Sequence, residues 1–275
     1  MKRLVTFSVA LLLAAACQEA PESENGSAST VPVGFEPRLT ATADWLEELS
    51  SSLPEHLRPR VIGVGDERLL LMELAAAAFE PSLIVAPGEG ISAAQALERD
   101  DLTLVIGSGF VTEAHSLEPV GLLQHEGTAL SPVQVHGYTR ILGINDQGLG
   151  VIHRKDYQRD LFHSALQVGP GIVEAGQLDI SERDLKRPRY FRSFVAVCED
   201  SWMVGVSLAP THLRTLGELL LADAAAREAG CDEVVNLAGD RQAVLAVALP
   251  ENRSFAHGDA RTYKVSLLGF RDLTP

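Results

Sequence analysis

Two apolar stretches, Arg140 to Asn145 and Leu149 to Arg154, stand on either side of Asp146-Gln147-Gly148. A polar turn ending in Gly between two β-prone runs predicts a hairpin. The same grammar recurs at Arg192 to Cys198 and Trp202 to Ser207, which flank Glu199-Asp200-Ser201. Ala165 to Val168 and Ile172 to Glu174 are parted by Gly169-Pro170-Gly171. A chain punctuated this often has little room for the long helical crossovers that parallel strands require. It therefore reads as α+β: a single domain with a mixed, largely antiparallel β-sheet flanked by helices.

The remaining elements fit that frame. Thr42 precedes an amphipathic helix reaching Leu49, and Ser92 precedes the short helical run AAQALER. Ser82 to Val85 and Leu102 to Ile106 read as buried strands, the latter running into Gly107-Ser108-Gly109-Phe110. Leu69 to Phe79 fits either a strand or an Ala-rich helix. Thr211 is expected to cap a helix whose apolar face is Leu213, Leu216, Leu219 and Leu220, with Gly230 as its stop. Strands are expected at Val234 to Leu237, Ala243 to Leu249 and Tyr263 to Leu268.

The first 17 residues have a different character. Lys2 and Arg3 precede an apolar run, Leu4 to Leu13, which leads into Ala14-Ala15-Ala16-Cys17. These are the three parts of a secretory signal. The run is too short to span a bilayer, which takes ~20 residues. Small residues before Cys17 resemble a lipobox, so lipidation at Cys17 is expected, although Ala14-Ala15-Ala16 also suits ordinary cleavage. Gln18 after the Cys then implies sorting to the outer membrane, facing the periplasm or the cell surface. Residues 18–37 are rich in Ser, Glu, Pro and Gly and are expected to form a flexible tether. Residues 38–275 carry the folded domain, with membrane contact through the lipid anchor only.

The formal charge of −14 argues against nucleic acid as a partner. Beyond Cys17 the cysteines are Cys198 and Cys231, which an oxidising compartment would allow to pair and which otherwise read as two buried thiols. Neither has metal-ligand spacing. The sequence contains no G-x-S-x-G, H-E-x-x-H or P-loop, and no cofactor or metal is expected.

Five segments taken in order are more informative than any one motif. LTLVIGSGFV, EPVGLLQHEGT, ALQVGPGIVEAGQ, FRSFVAVCEDSWMVGVS and EAGCDEVVNLAGDRQA together span roughly residues 85 to 250. In that order they resemble the phosphodiester glycosidase domain family, which includes the catalytic domain of the mannose 6-phosphate uncovering enzyme and bacterial exopolysaccharide-associated homologues. Gln167, Gly169, Pro170 and Gly176 match the family's QSGP segment, and Arg192 matches the Arg of its hairpin.

The resemblance implies cleavage of a sugar-1-phosphodiester or a related glycan. Such chemistry needs donors for phosphoryl oxygens and a carboxylate for the developing positive charge on the sugar. Arg192, with its planar fork, is the expected clamp for phosphate or for a glycan carboxylate. Asp240 is the expected acid, and Ser108, Gly109 and Gln167 join Arg192 as expected substrate-binding residues. Two positions depart from the family. Gly107 stands where the family has Asn, and Ala238 where it has Asp. Asp240, two positions on, keeps the strand face but lies ~6–7 Å further along it. Two readings follow: an envelope lipoprotein that hydrolyses a glycosyl phosphodiester, or an inactive member that binds a glycan or a partner protein.

Overall fold

The computed structural model describes residues 42–99, 101–113 and 116–274. The leader, the expected lipidation site at Cys17 and the expected tether lie outside the described residues. From the amino end come α1 (Thr42–Ser52), β1 (Leu57–Val64), β2 (Glu67–Ala75) and β3 (Phe79–Val85). Then follow α2 (Ala93–Arg99), β4 (Leu104–Ser108), β5 (Leu123–His125), β6 (Thr128–Ser131), β7 (Arg140–Asn145) and β8 (Gly148–His153). The centre continues with β9 (Ser164–Val168), β10 (Gly171–Glu174), β11 (Gln177–Leu178), β12 (Arg192–Val197) and β13 (Ser201–Ser207). After α3 (Leu213–Ala222) and α4 (Ala224–Glu228), the chain ends with β14 (Glu233–Gly239), β15 (Val244–Leu249), β16 (Arg253–Gly258) and β17 (Ser266–Asp272).

Every strand pair among the described residues is antiparallel, and the expected sheet is divided into three. One sheet has seven strands in the order β1-β2-β13-β12-β14-β10-β11. The other two have five each, β16-β15-β4-β17-β3 and β6-β5-β9-β7-β8. Both predicted hairpins form, as β7–β8 and β12–β13. Gly169-Pro170-Gly171 instead carries the chain from β9 in one sheet to β10 in another, through a cis Gly169–Pro170 bond.

Leu69 to Ala75 is strand, and the pattern of burial explains its ambiguity. Leu70, Met72 and Leu74 enter the main core, while Leu69 and Leu71 enter a second core on the other face. A strand covered on both sides loses its polar alternation and reads as a continuous apolar run. The main core takes Val195 and Val204 from the seven-stranded sheet, Leu104, Leu245 and Phe270 from the second, and Leu142 and Leu166 from the third. The second core lies under α3, through Leu213, Leu216 and Leu220. A third core joins α2 to β4 and β15 through Ala93, Ala96, Val105 and Val244.

The capping at α2 is reciprocal. Gln95 N–H donates to Ser92 Oγ at 3.2 Å, and Ser92 N–H donates to Gln95 Oε1 at 3.1 Å. The helix expected from Thr211 to Gly230 is corrected in two respects. His212, not Thr211, precedes its first turn, and buried Asp184 accepts from Arg214 N–H at 3.0 Å in place of a local cap. The helix also breaks at Asp223, whose carboxylate caps α4 by accepting from Ala226 N–H at 3.0 Å. Cys198 and Cys231 form a disulfide, with Cα atoms 3.9 Å apart. It ties the end of β12 to the turn before β14.

Candidate active site

The seven-stranded sheet meets the β16–β3 sheet where Ser193 Oγ on β12 donates to the Gly107 carbonyl on β4, at 2.7 Å. Beside this junction opens a cleft of about 710 Å³. Its walls come from distant parts of the chain: Phe110 to Glu113 after β4, Phe191 before β12, Gly239 to Ala243 after β14, and His257 to Asp259 at the end of β16.

Asp240 lies on the cleft wall in a left-handed conformation, φ +50°. Non-Gly residues seldom adopt it, and Asp is among those that tolerate it. Here β14 ends and a short 3₁₀ turn, Asp240–Gln242, begins. The strand alternation used to relate Asp240 to Ala238 therefore stops at Gly239. Ala238 is fully buried and pairs with Ser193 in the β12–β14 ladder. The Asp240 N–H donates to the Phe191 carbonyl at 2.9 Å, which pins the turn to the opposite wall.

Arg192 begins β12 opposite Gly239. Its N–H donates to Ser207 Oγ at 2.9 Å, and its guanidinium lies 5.0 Å from the centre of the Tyr190 ring. Nη1 stands 3.2 Å from where a Cβ on Gly239 would be, so the fork lies against Gly239 of the cleft wall and near Asp240, while Arg192 is not itself among the wall residues. Nε is buried and has no hydrogen-bond partner among the described residues. Burial lowers the guanidinium pKa below its ordinary value, against the opposing pull of Asp184, Asp240 and Tyr190. Among the described residues no acid forms an ion pair with this half-buried cation, an arrangement that favours an incoming anion.

The other expected binding residues sit behind the walls. Ser108 is fully buried, and its carbonyl accepts from Ser266 Oγ at 3.0 Å. Gly109, φ +80°, packs against the same hydroxyl, and a Cβ there would come within 2.5 Å of it. Gln167 is also buried, and its amide is engaged on both ends. Its Oε1 accepts from Leu122 N–H and Gln134 N–H, and its Nε2 donates to the carbonyls of Gln134 and Tyr138, all within 3.1 Å. The structure thus brings Arg192 and Asp240 together and places Ser108 and Gln167 in the supporting framework. Gly107 has no room for any side chain, since a Cβ would fall 1.9 Å from the Gln242 carbonyl.

Several cleft groups escaped the sequence reading. His257 Nε2 lies 3.2 Å from the Ser207 carbonyl. Asp259 accepts from Arg261 N–H, Thr262 N–H and Thr262 Oγ1. The Thr262 hydroxyl is the first cause that holds its carboxyl below the usual range, so it is ionised at neutral pH. Gln242 Oε1 is a buried acceptor without a partner among the described residues. Lys264, fully buried, donates from Nζ to the carbonyls of Arg241 and Asp259 at 3.1 Å and of Thr262 at 3.3 Å. It clamps the Asp240 turn to the 259–262 loop, and burial pulls its pKa down to about 8. A single Lys between Tyr263 and the apolar run Val265 to Leu268 was the available signal. Phe110 stacks on Tyr138 at 4.1 Å and supplies an aromatic wall. Among the described residues no group of three His, Cys, Asp or Glu side chains could hold a metal ion.

No family model and no curated protein matches the chain. Solved structures do share its fold. The zebrafish N-acetylglucosamine-1-phosphodiester alpha-N-acetylglucosaminidase catalytic domain superposes with a TM-score of 0.57 at 13% identity, covering 81% of this chain and 85% of that one. A protein from Synechocystis superposes with a TM-score of 0.55 at 10% identity over 78% of this chain. The chain spans 61% of that protein's length. The fold is therefore the phosphodiester-glycosidase-like fold that the five ordered segments implied.

Proposed function

We propose that the cleft recognises and hydrolyses a sugar-1-phosphodiester or a related glycan, on an exported protein anchored to the outer membrane through a lipidated Cys17. The observation that carries this reading is the Arg192 fork: a half-buried guanidinium with no ion pair among the described residues, packed behind the cleft wall at Gly239 and Asp240. Its planar donors match two phosphoryl oxygens. A sugar ring then lies toward Phe110 and Phe191 on the cleft wall. The bond between the anomeric carbon and the phosphate oxygen breaks, the electron pair leaves with the phosphate, and Arg192 neutralises it. Asp240 stabilises the positive charge on the sugar and takes the proton of the water that adds to the anomeric carbon. The disulfide supports export, because such bonds persist in oxidising compartments.

A second reading, binding without turnover, is favoured by Gly107 and Ala238. Neither presents a functional group to the cleft, and the first has no space for one. Incubation with N-acetylglucosamine 1-methylphosphate separates the two. Release of free N-acetylglucosamine that Arg192→Ala abolishes supports hydrolysis. Calorimetric binding without release supports the second reading, and neither binding nor release refutes both.

A further inference from the structure

The segment that leads into the cleft is charged unlike the rest of the chain. Residues 182–192, ERDLKRPRYFR, hold five cations against two acids in a protein whose formal charge is −14. The fold separates those charges. Asp184 turns inward, buried, to cap α3. Arg183, Lys186, Arg187 and Arg189 stay exposed. Among the described residues Arg183, Lys186 and Arg187 make no ion pair, while Arg189 lies 3.5 Å from Glu67. Leu185, Tyr190 and Phe191 are exposed among these cations, at 47%, 37% and 38%. The result is a basic strap carrying aromatic faces, and it is continuous with the Arg192 site. At ~3.3–3.6 Å per residue, Arg189 lies within ~11 Å of Arg192 along the chain, and Lys186 within ~22 Å.

We infer that residues 183–191 form an extended binding surface for a phosphodiester-linked glycan polymer, with Arg192 receiving the repeat at its end. This rests on the reading of the cleft given above and specifies the substrate as polymeric. Spaced cations leading to the adjacent exposed rings of Tyr190 and Phe191 suit a polymer with one negative charge per repeat whose terminal sugar sits at those rings. Duplex DNA carries a charge every ~1.7 Å, and a chain of formal charge −14 repels so dense an array. A flat anionic bilayer meets the same repulsion.

The test compares the purified full chain with an Arg183→Gln/Lys186→Gln/Arg187→Gln variant, both checked for the same thermal midpoint. Probes are a poly(N-acetylglucosamine 1-phosphate), N-acetylglucosamine 1-methylphosphate as a single repeat, phosphatidylglycerol vesicles and duplex DNA. The expected result is a polymer affinity that falls roughly tenfold in the variant and depends less on salt, with single-repeat binding unchanged. Polymer affinity that does not change in the variant overturns the inference. So does an equal loss for the single repeat, or vesicles or DNA binding as tightly as the polymer. Strap-dependent polymer binding with no single-repeat binding keeps the strap as the polymer-binding surface and overturns the reading of the cleft, Arg192's part included.

Discussion

Ser193 and Gly107 are joined by a 2.7 Å hydrogen bond that links two sheets beside the cleft. Gly107 is held on its other side by the Gln242 carbonyl, which leaves no space for a Cβ. Ser193→Ala is expected to cost about 1 kcal/mol by removing a buried donor. Gly107→Ala is expected to cost about 1–3 kcal/mol through overpacking. It should also displace the turn that carries Asp240, so ligand affinity falls in Gly107→Ala more than in Ser193→Ala. Urea unfolding with calorimetry on both variants checks the ordering.

Arg192→Met separates binding from stability. The native guanidinium has no close counter-ion among the described residues, and Met keeps much of its packing over Tyr190. The variant should lose at least tenfold in affinity for a phosphodiester, since charge-assisted contacts are the stronger class. Its thermal midpoint should stay level or rise. A midpoint falling by several degrees would show that Arg192 has a supporting role instead.

Lys264 makes stability depend on pH in a defined window. Its folded pKa is about 8, below the ordinary value of 10.5. Between those values the unfolded chain holds a proton that the folded chain has released, so stability from this group rises with pH from about 8 to 10.5. Below about 8 both states are protonated, and the fold bears the whole penalty of the buried ammonium. Denaturant midpoints across pH 7–11 should show a positive contribution in the native chain that Lys264→Met lacks.

The disulfide closes a loop with a sequence separation of 33. Replacing both cysteines by Ser should cost about 3–4 kcal/mol, mainly by freeing the unfolded chain. Unfolding with and without reductant measures it. Reduction should mimic the double substitution.

What could be foreseen follows the range of the interactions involved. The β7–β8 and β12–β13 hairpins were legible because their turns lie within a few residues of the strands they join. Local chemistry also marked Ser92 as a cap. By contrast, β2 was obscured because both of its faces are buried, a fact supplied by strands more than a hundred residues away. The break at Asp223 was hidden inside an Ala- and Leu-rich run. In the cleft, Arg192 and Asp240 could be named from residue type and order. His257 and Lys264 could not, because each gains its meaning from a partner on another element, Ser207 and the Arg241 carbonyl. Asp259, though held by its own 261–262 turn, reaches the cleft only through where β16 ends. Asp240's relation to Ala238 was misjudged in register, since a turn with positive φ replaces the expected strand.

One apolar core draws side chains from all three sheets. The cleft walls hang from strands of two of those sheets, so no excised single sheet can carry the site. In evolutionary terms the domain can be transmitted, duplicated or fused whole, and its ligand range retuned at the rim, but it cannot be shuffled in pieces.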